Sequence, residues 1–257
     1  EDWGPALGIA TRRRREDKRR YDLESPKTMT QRVYLHGAGL AGASWGEVAG
    51  MTPDLPGHNG RARAAANAAD FARALAPEIP EDAVLIGHSL GGMVAMALAA
   101  EFPEKVRGLV LVSVPIRAPL KLISWYTPFV APIVTRVPGT KAIANAVGRR
   151  VETEAGRAVF RAHVGAADPS GLADALTVAG RFNGFDVLPH VRCPVLAVTG
   201  TRSLMTTGRY DENLTRLAPG ARGLRLDAGH MIPFDRPYAL EAAVAEFEAE
   251  LAPTRQD

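Results

Sequence analysis

Gly87-His88-Ser89-Leu90-Gly91, set between an apolar run and an alanine-rich one, constrains this chain more than any other stretch. Val84-Leu85-Ile86 before it is short, branched and apolar, which predicts a buried strand. Met93-Val94-Ala95 and the alanines behind it predict a helix. A serine caught between the two must sit on a sharp strand-to-helix turn, the nucleophile-elbow pattern Gly-x-Ser-x-Gly. Such a turn strains the serine backbone and closes only if its neighbours are as small as Gly87 and Gly91. The strain lifts the Ser89 hydroxyl clear of the sheet. The helix that starts there points its positive end and free amides at any oxyanion forming nearby. The pattern alone arises by chance in many chains; the flanking strand and helix make Ser89 a candidate nucleophile.

Upstream, Arg32-Val33-Tyr34-Leu35-His36-Gly37-Ala38-Gly39 is a β-branched and aromatic run that stops in glycines, so its backbone amides can turn toward the nucleophile. Downstream, Leu224-Arg225-Leu226-Asp227-Ala228-Gly229-His230 is another short strand ending in Gly-His, ahead of a predicted helix over Asp235 to Leu251. The order His-Gly, then Ser89, then His230 resembles the α/β-hydrolase superfamily, in particular its small serine esterases. Asp54-Leu55-Pro56-Gly57-His58 resembles that superfamily's loop after the strand preceding the elbow, and the likeness spans roughly Gln31 to Leu251. The resemblance implies an α/β fold: a mostly parallel sheet, flanking helices and a helical lid, with strands over Arg32–His36, Met51–Asp54, Ala83–Gly87, Val106–Ser113, Pro194–Gly200 and Gly223–Leu226. It also implies acyl transfer from a small-molecule carboxylic ester to water without a cofactor. Ser89 would attack, His230 would carry the proton, and the backbone amides of Ala38 and Leu90 would hold the oxyanion.

Five other histidines compete with His230. His36 and His58 lie in glycine loops, where a ring usually holds the loop by hydrogen bonds. His88 sits inside the elbow, with its side chain predicted to point away from the nucleophile. His163 and His190 carry no motif. His230 alone follows a late strand with a glycine before it.

The acid of a Ser-His-Asp set has no evident residue. Relatives read Gly-x-x-Asp after the strand Pro194–Gly200, whereas this chain reads Gly200-Thr201-Arg202-Ser203. The alternative place, after Val106–Val112, reads Ser113-Val114-Pro115. An acid fixes the histidine tautomer and stabilises the imidazolium, and its loss costs about 10⁴-fold in turnover. Asp211, Asp186, Glu152 and Glu154 are the carboxylates that could reach His230 from elsewhere; Asp227 is expected to face solvent.

With 257 residues, 46% hydrophobic and 23% charged, the chain can bury one large core. No apolar run approaches the roughly 18 residues that span a membrane, and no apolar stretch follows the basic N-terminus as in a signal peptide. A cytoplasmic protein is the resulting expectation. The lone Cys193, beside Pro194, reads as a buried structural thiol. Residues 1–28 hold the charge run Arg12–Arg20 and read as a disordered basic extension ahead of a hydrolase domain over 29–257, with Met29 resembling a natural start. Their eight basic and six acidic residues supply most of the chain's net +3, so the globular part shows no basic bias toward nucleic acid. A proline-broken helical region over about 115–190 matches the lid. Its Leu122, Ile123, Trp125, Tyr126, Phe129 and Ile133 would line an acyl pocket or pack the lid onto the body. Two other readings use the same motifs: elimination or carbon–carbon chemistry of the menaquinone-pathway synthase kind, and a ligand-binding domain that scarcely turns over. Substrate identity and oligomeric state have no signature in the chain.

Overall fold

The computed structural model describes residues 31–117, 121–206, 210–218 and 220–251, with the side chains of 121–125 and Asp211 outside that description. The expected basic extension over 1–28 also lies outside the described residues.

Five short strands form one sheet: β1 Arg32–Leu35, β2 Ala83–His88, β3 Val106–Val112, β4 Val195–Gly200 and β5 Arg222–Leu226, the last a largely exposed Arg-Gly-Leu-Arg-Leu run at one edge. They lie in chain order and every neighbouring pair is parallel. The longer helices are α1 Ala68–Leu75, α2 Leu90–Glu101, α3 Lys121–Val134, α4 Thr140–Gly148, α5 Glu154–Ala166, α6 Pro169–Arg181, α7 Tyr210–Leu217 and α8 Pro237–Glu250. Helices cover both faces, which is why the strands carry apolar residues on both sides. β2 and β4 are buried along their full length. Val33, Leu35, Leu85, Leu109 and Leu111 pack with Phe71 and Leu75 of α1 and with Met93 and Met96 of α2. Tyr34, Val84, Ile86, Val110 and Val112 point the other way, onto Leu240, Val244 and Phe247 of α8.

The strand expected over Met51–Asp54 shrinks to a single parallel bridge between Val33 and Met51. Met51 N–H donates to Arg32 O at 2.9 Å and Met51 O accepts from Tyr34 N–H at 2.8 Å. The next donor in that register falls on Pro53, which has no N–H, so the ladder ends.

α3 to α6 occupy the insertion between β3 and β4. Asp168 caps α6 by accepting from Ser170 N–H at 2.9 Å and Gly171 N–H at 2.8 Å. A satellite apolar cluster joins Ala144, Val151, Phe160 and Val164 of the insertion to Leu40 and Met231, which follow β1 and β5. The apolar residues named for α3 do something else. Tyr126, Phe129 and Ile133 are 48%, 69% and 64% exposed, so they neither line an enclosed pocket nor pack the lid down. The helix meets α6 through Thr127, whose Oγ1 lies 2.4 Å from where a Gly180 Cβ would stand, and this turns those apolar residues outward. Leu122, Ile123 and Trp125 have side chains outside the described residues. Among the described residues, no helix is long and apolar enough to cross a membrane.

Candidate active site

β2 ends at His88, and Ser89 takes φ 52°, ψ −114° before α2 begins at Leu90. A serine rarely adopts that backbone, and space enforces it here. A Cβ on Gly91 would stand 2.1 Å from Leu35 O, and one on Gly87 2.4 Å from Gly92 Cα. The turn therefore packs against the end of β1 with nothing larger than glycine between them. Ser89 Oγ emerges 3.2 Å from His230 Nε2, both residues being half-buried. The amides of Leu90, opening α2, and Ala38, following β1, donate to no partner among the described residues.

The loops beside the elbow hold each other through histidines. His36 Nε2 accepts from Leu55 N–H at 3.0 Å, and His58 Nε2 accepts from Gly39 N–H at 3.1 Å. Their Nδ1 atoms face the carbonyls of Gly37 at 2.8 Å and Pro56 at 3.1 Å, so both rings are neutral and protonated at Nδ1. Burial drives the His36 pKa down to about 3 and lowers that of His58. Asp54 Oδ1 accepts from Gly42 N–H at 2.7 Å, adding a third tie between the segments. Both histidines hold their loops.

His230 Nδ1 is buried and has no hydrogen-bond partner among the described residues. Ser203, where relatives carry the acid, is 2% exposed, and its Oγ accepts from Met205 N–H at 3.3 Å. Ser113, at the alternative place, is fully buried at φ 52°, and its Oγ has no partner among the described residues. Glu152 comes to the neighbouring residue: its Oε1 accepts from Gly229 N–H at 3.1 Å. Arg202 and Arg236 hold the same carboxylate at 2.7 and 3.2 Å. Arg202 first, then Arg236, keeps the Glu152 carboxyl below the usual range. Glu154 pairs with Arg157, Asp186 accepts from Asn183, and Asp227 is exposed and pairs with Arg202. The Asp211 side chain lies outside the described residues. None of the described candidates touches the His230 ring.

The Alpha/beta hydrolase family model matches residues 33–244, a span that holds the elbow, both loops and His230. The chain belongs to the alpha/beta hydrolase family. A pimeloyl-(acyl-carrier protein) methyl ester esterase of Vibrio cholerae is 27% identical over 224 residues, 79% of this chain and 87% of that protein. One from Aromatoleum aromaticum is 44% identical over 88 residues, which are 31% of this chain and only 35% of that protein. Among solved structures, the enol-lactonase from Burkholderia xenovorans superimposes with a TM-score of 0.75 at 22% identity, over 86% of this chain and 92% of that one.

Within this α/β hydrolase the His230 pKa is lowered to about 4, by burial first and by the Arg150 charge second. The ring is therefore neutral at neutral pH. Two residues at the site escaped the sequence reading. Asp235, 5% exposed, accepts from the N–H groups of Glu152 at 2.8 Å and Thr153 at 3.2 Å, tying the insertion to the segment that follows His230. No spacing rule marks that role. His88 does not simply turn away: its ring lies 5.2 Å from the His230 ring, and its Nε2 is 3.1 Å from His230 O.

Proposed function

We propose that this α/β hydrolase cleaves a carboxylic ester through Ser89 and His230, with Ala38 and Leu90 supplying the oxyanion amides. His230 Nε2 takes the Ser89 proton as Oγ attacks the carbonyl carbon, and negative charge gathers on the carbonyl oxygen facing the two amides. Collapse expels the alcohol, which receives that proton from His230 and leaves an acyl-Ser89. Water then attacks the acyl carbon with His230 again as base, and Ser89 is released with the acid product. One observation carries the reading: a strained elbow serine with its Oγ 3.2 Å from the Nε2 of a neutral histidine.

The curated relatives are named for a methyl ester on a carrier-borne acyl chain, so a small alcohol and a modest apolar acyl group are the first substrates to try. p-Nitrophenyl esters of graded chain length should be hydrolysed by the wild type and not by Ser89→Ala, and a fluorophosphonate should label only the wild type. Equal labelling of both would overturn the assignment. A second reading, a binding domain with little turnover, draws on the His230 Nδ1, which has no partner among the described residues. Saturable ester binding with no Ser89-dependent product would select it.

A further inference from the structure

We infer that His88 is a positioning residue for the base, holding the His230 backbone from the nucleophile's own strand where no described carboxylate holds the ring. The inference rests on the Ser89–His230 reading and adds a residue to it. His88 Nε2 lies 3.1 Å from His230 O, and a carbonyl only accepts, so the ring is protonated at Nε2 and donates. The ring is 2% exposed, so nothing in solvent competes for that donor. A Cβ on Gly37 would lie 2.9 Å from His88 Nδ1, which places the ring between the oxyanion loop and the loop of the base.

One neutral imidazole thus touches all three parts of the site: it follows Gly87 in the elbow, abuts Gly37 beside Ala38, and bonds the backbone of His230. Burial, and then the neighbouring His230, hold its pKa down to about 3, so it adds no charge to oppose the imidazolium that forms during attack. Charge facing the two rings is distant or paired: Arg150 acts on His230, and Glu152 binds Gly229 N–H while held by Arg202 and Arg236. In a Ser-His-Asp enzyme a carboxylate orients the imidazole through Nδ1. Here that atom has no described partner, so ring placement depends on fixing the residue's backbone on both sides: Gly229 through Glu152 and His230 through His88.

The test compares His88→Met with His88→Gln, near-isosteres of which only glutamine keeps an N–H close to the Nε2 position. On a p-nitrophenyl ester, His88→Met should lose roughly tenfold in kcat, the scale of one hydrogen bond, with KM unchanged. His88→Gln should recover most of that loss. Equal losses in both variants, or none in His88→Met, would overturn the inference. Whether or not the variants fold, NMR of isotope-labelled histidine in the wild type must show His88 as the Nε2–H tautomer with a slowly exchanging ring proton; an Nδ1–H tautomer overturns it too. Ser89→Ala assayed alongside separates the two possible failures. Wild-type turnover that does not depend on Ser89 overturns the esterase reading, whereas Ser89-dependent turnover indifferent to His88→Met removes only the tether.

Discussion

Ser89 holds a backbone conformation, φ 52° and ψ −114°, that glycine adopts freely and serine does not. Strain of this kind costs about 1–3 kcal/mol and is retained where the side chain has a task. Ser89→Gly should therefore unfold at a higher temperature than Ser89→Ala, by about 1 kcal/mol or more, while both are inactive; equal melting temperatures would mean that the elbow stores no strain. At His230 the base must be unprotonated, and its pKa of about 4 keeps it so well below neutrality. The acidic limb of kcat/KM should fall near pH 4 rather than near the ordinary histidine value of 6.5. Ser203→Asp places a carboxylate where relatives have one, and an anion near Nδ1 favours the imidazolium. That variant should raise kcat and move the acidic limb to higher pH. Burial opposes the change, because position 203 is only 2% exposed and a charge there needs donors. The same substitution should therefore also lower the melting temperature. An unmoved limb would show that position 203 does not face the histidine.

Among the elements, the insertion between β3 and β4 matters through the short link between α4 and α5. Glu152 in that link accepts from Gly229 N–H, and Asp235 returns two bonds to the link's own amides. Base loop and insertion are thus fastened to each other. Glu152→Ala removes one charge-assisted bond, worth about 1.5–3 kcal/mol where fully formed, and leaves Arg202 and Arg236 to solvent. The exposed share of that network reduces the effect, so kcat should fall several-fold with the fold intact; wild-type kcat in Glu152→Ala would show that Gly229 needs no anchor. The elements themselves were legible from local pattern: apolar runs became β1 to β4, and the Leu-Arg-Leu alternation became β5, all within two residues of the expected limits. Met51–Asp54 was not, because β-forming composition cannot supply the N–H that Pro53 lacks. The outward turn of Tyr126, Phe129 and Ile133 was not legible either, since it depends on which face of α3 meets Gly180.

On the scale of the whole molecule, three histidines, His36, His58 and His88, are at most 3% exposed and are neutral in the fold. The unfolded chain takes up protons on them below the ordinary 6.5, while the folded His36 and His88 resist until about pH 3. Folded pKa values below unfolded ones mean that stability is fully present above 6.5 and declines as pH falls toward 3. Each such group contributes about 1.4 kcal/mol per pH unit, so His36 and His88 together give roughly 3 kcal/mol per unit around pH 5, and His58 acts in the same direction. Urea midpoints taken between pH 7.5 and 4.5 should fall steeply, and replacing His58 by Gln should flatten the fall. A flat profile would mean that these rings are protonated in the native state.

The sequence by itself determined the elbow, the parallel α/β order and the Ser89–His230 pair, because each depends on rules that act over a few residues. Glycines must flank a turn that leaves no room for a Cβ, apolar runs must be buried, and a strand must end where its glycine-histidine loop begins. Only the tertiary structure decided how His230 is held. His88 and His230 are 142 positions apart, and Gly229 and Glu152 are 77 apart, so no local pattern announces either contact. The same holds for the acid: a serine at 203 can be read from the chain, but whether another carboxylate reaches the ring depends on how the insertion packs. Packing brought Glu152 to the backbone of Gly229, one residue short of the imidazole.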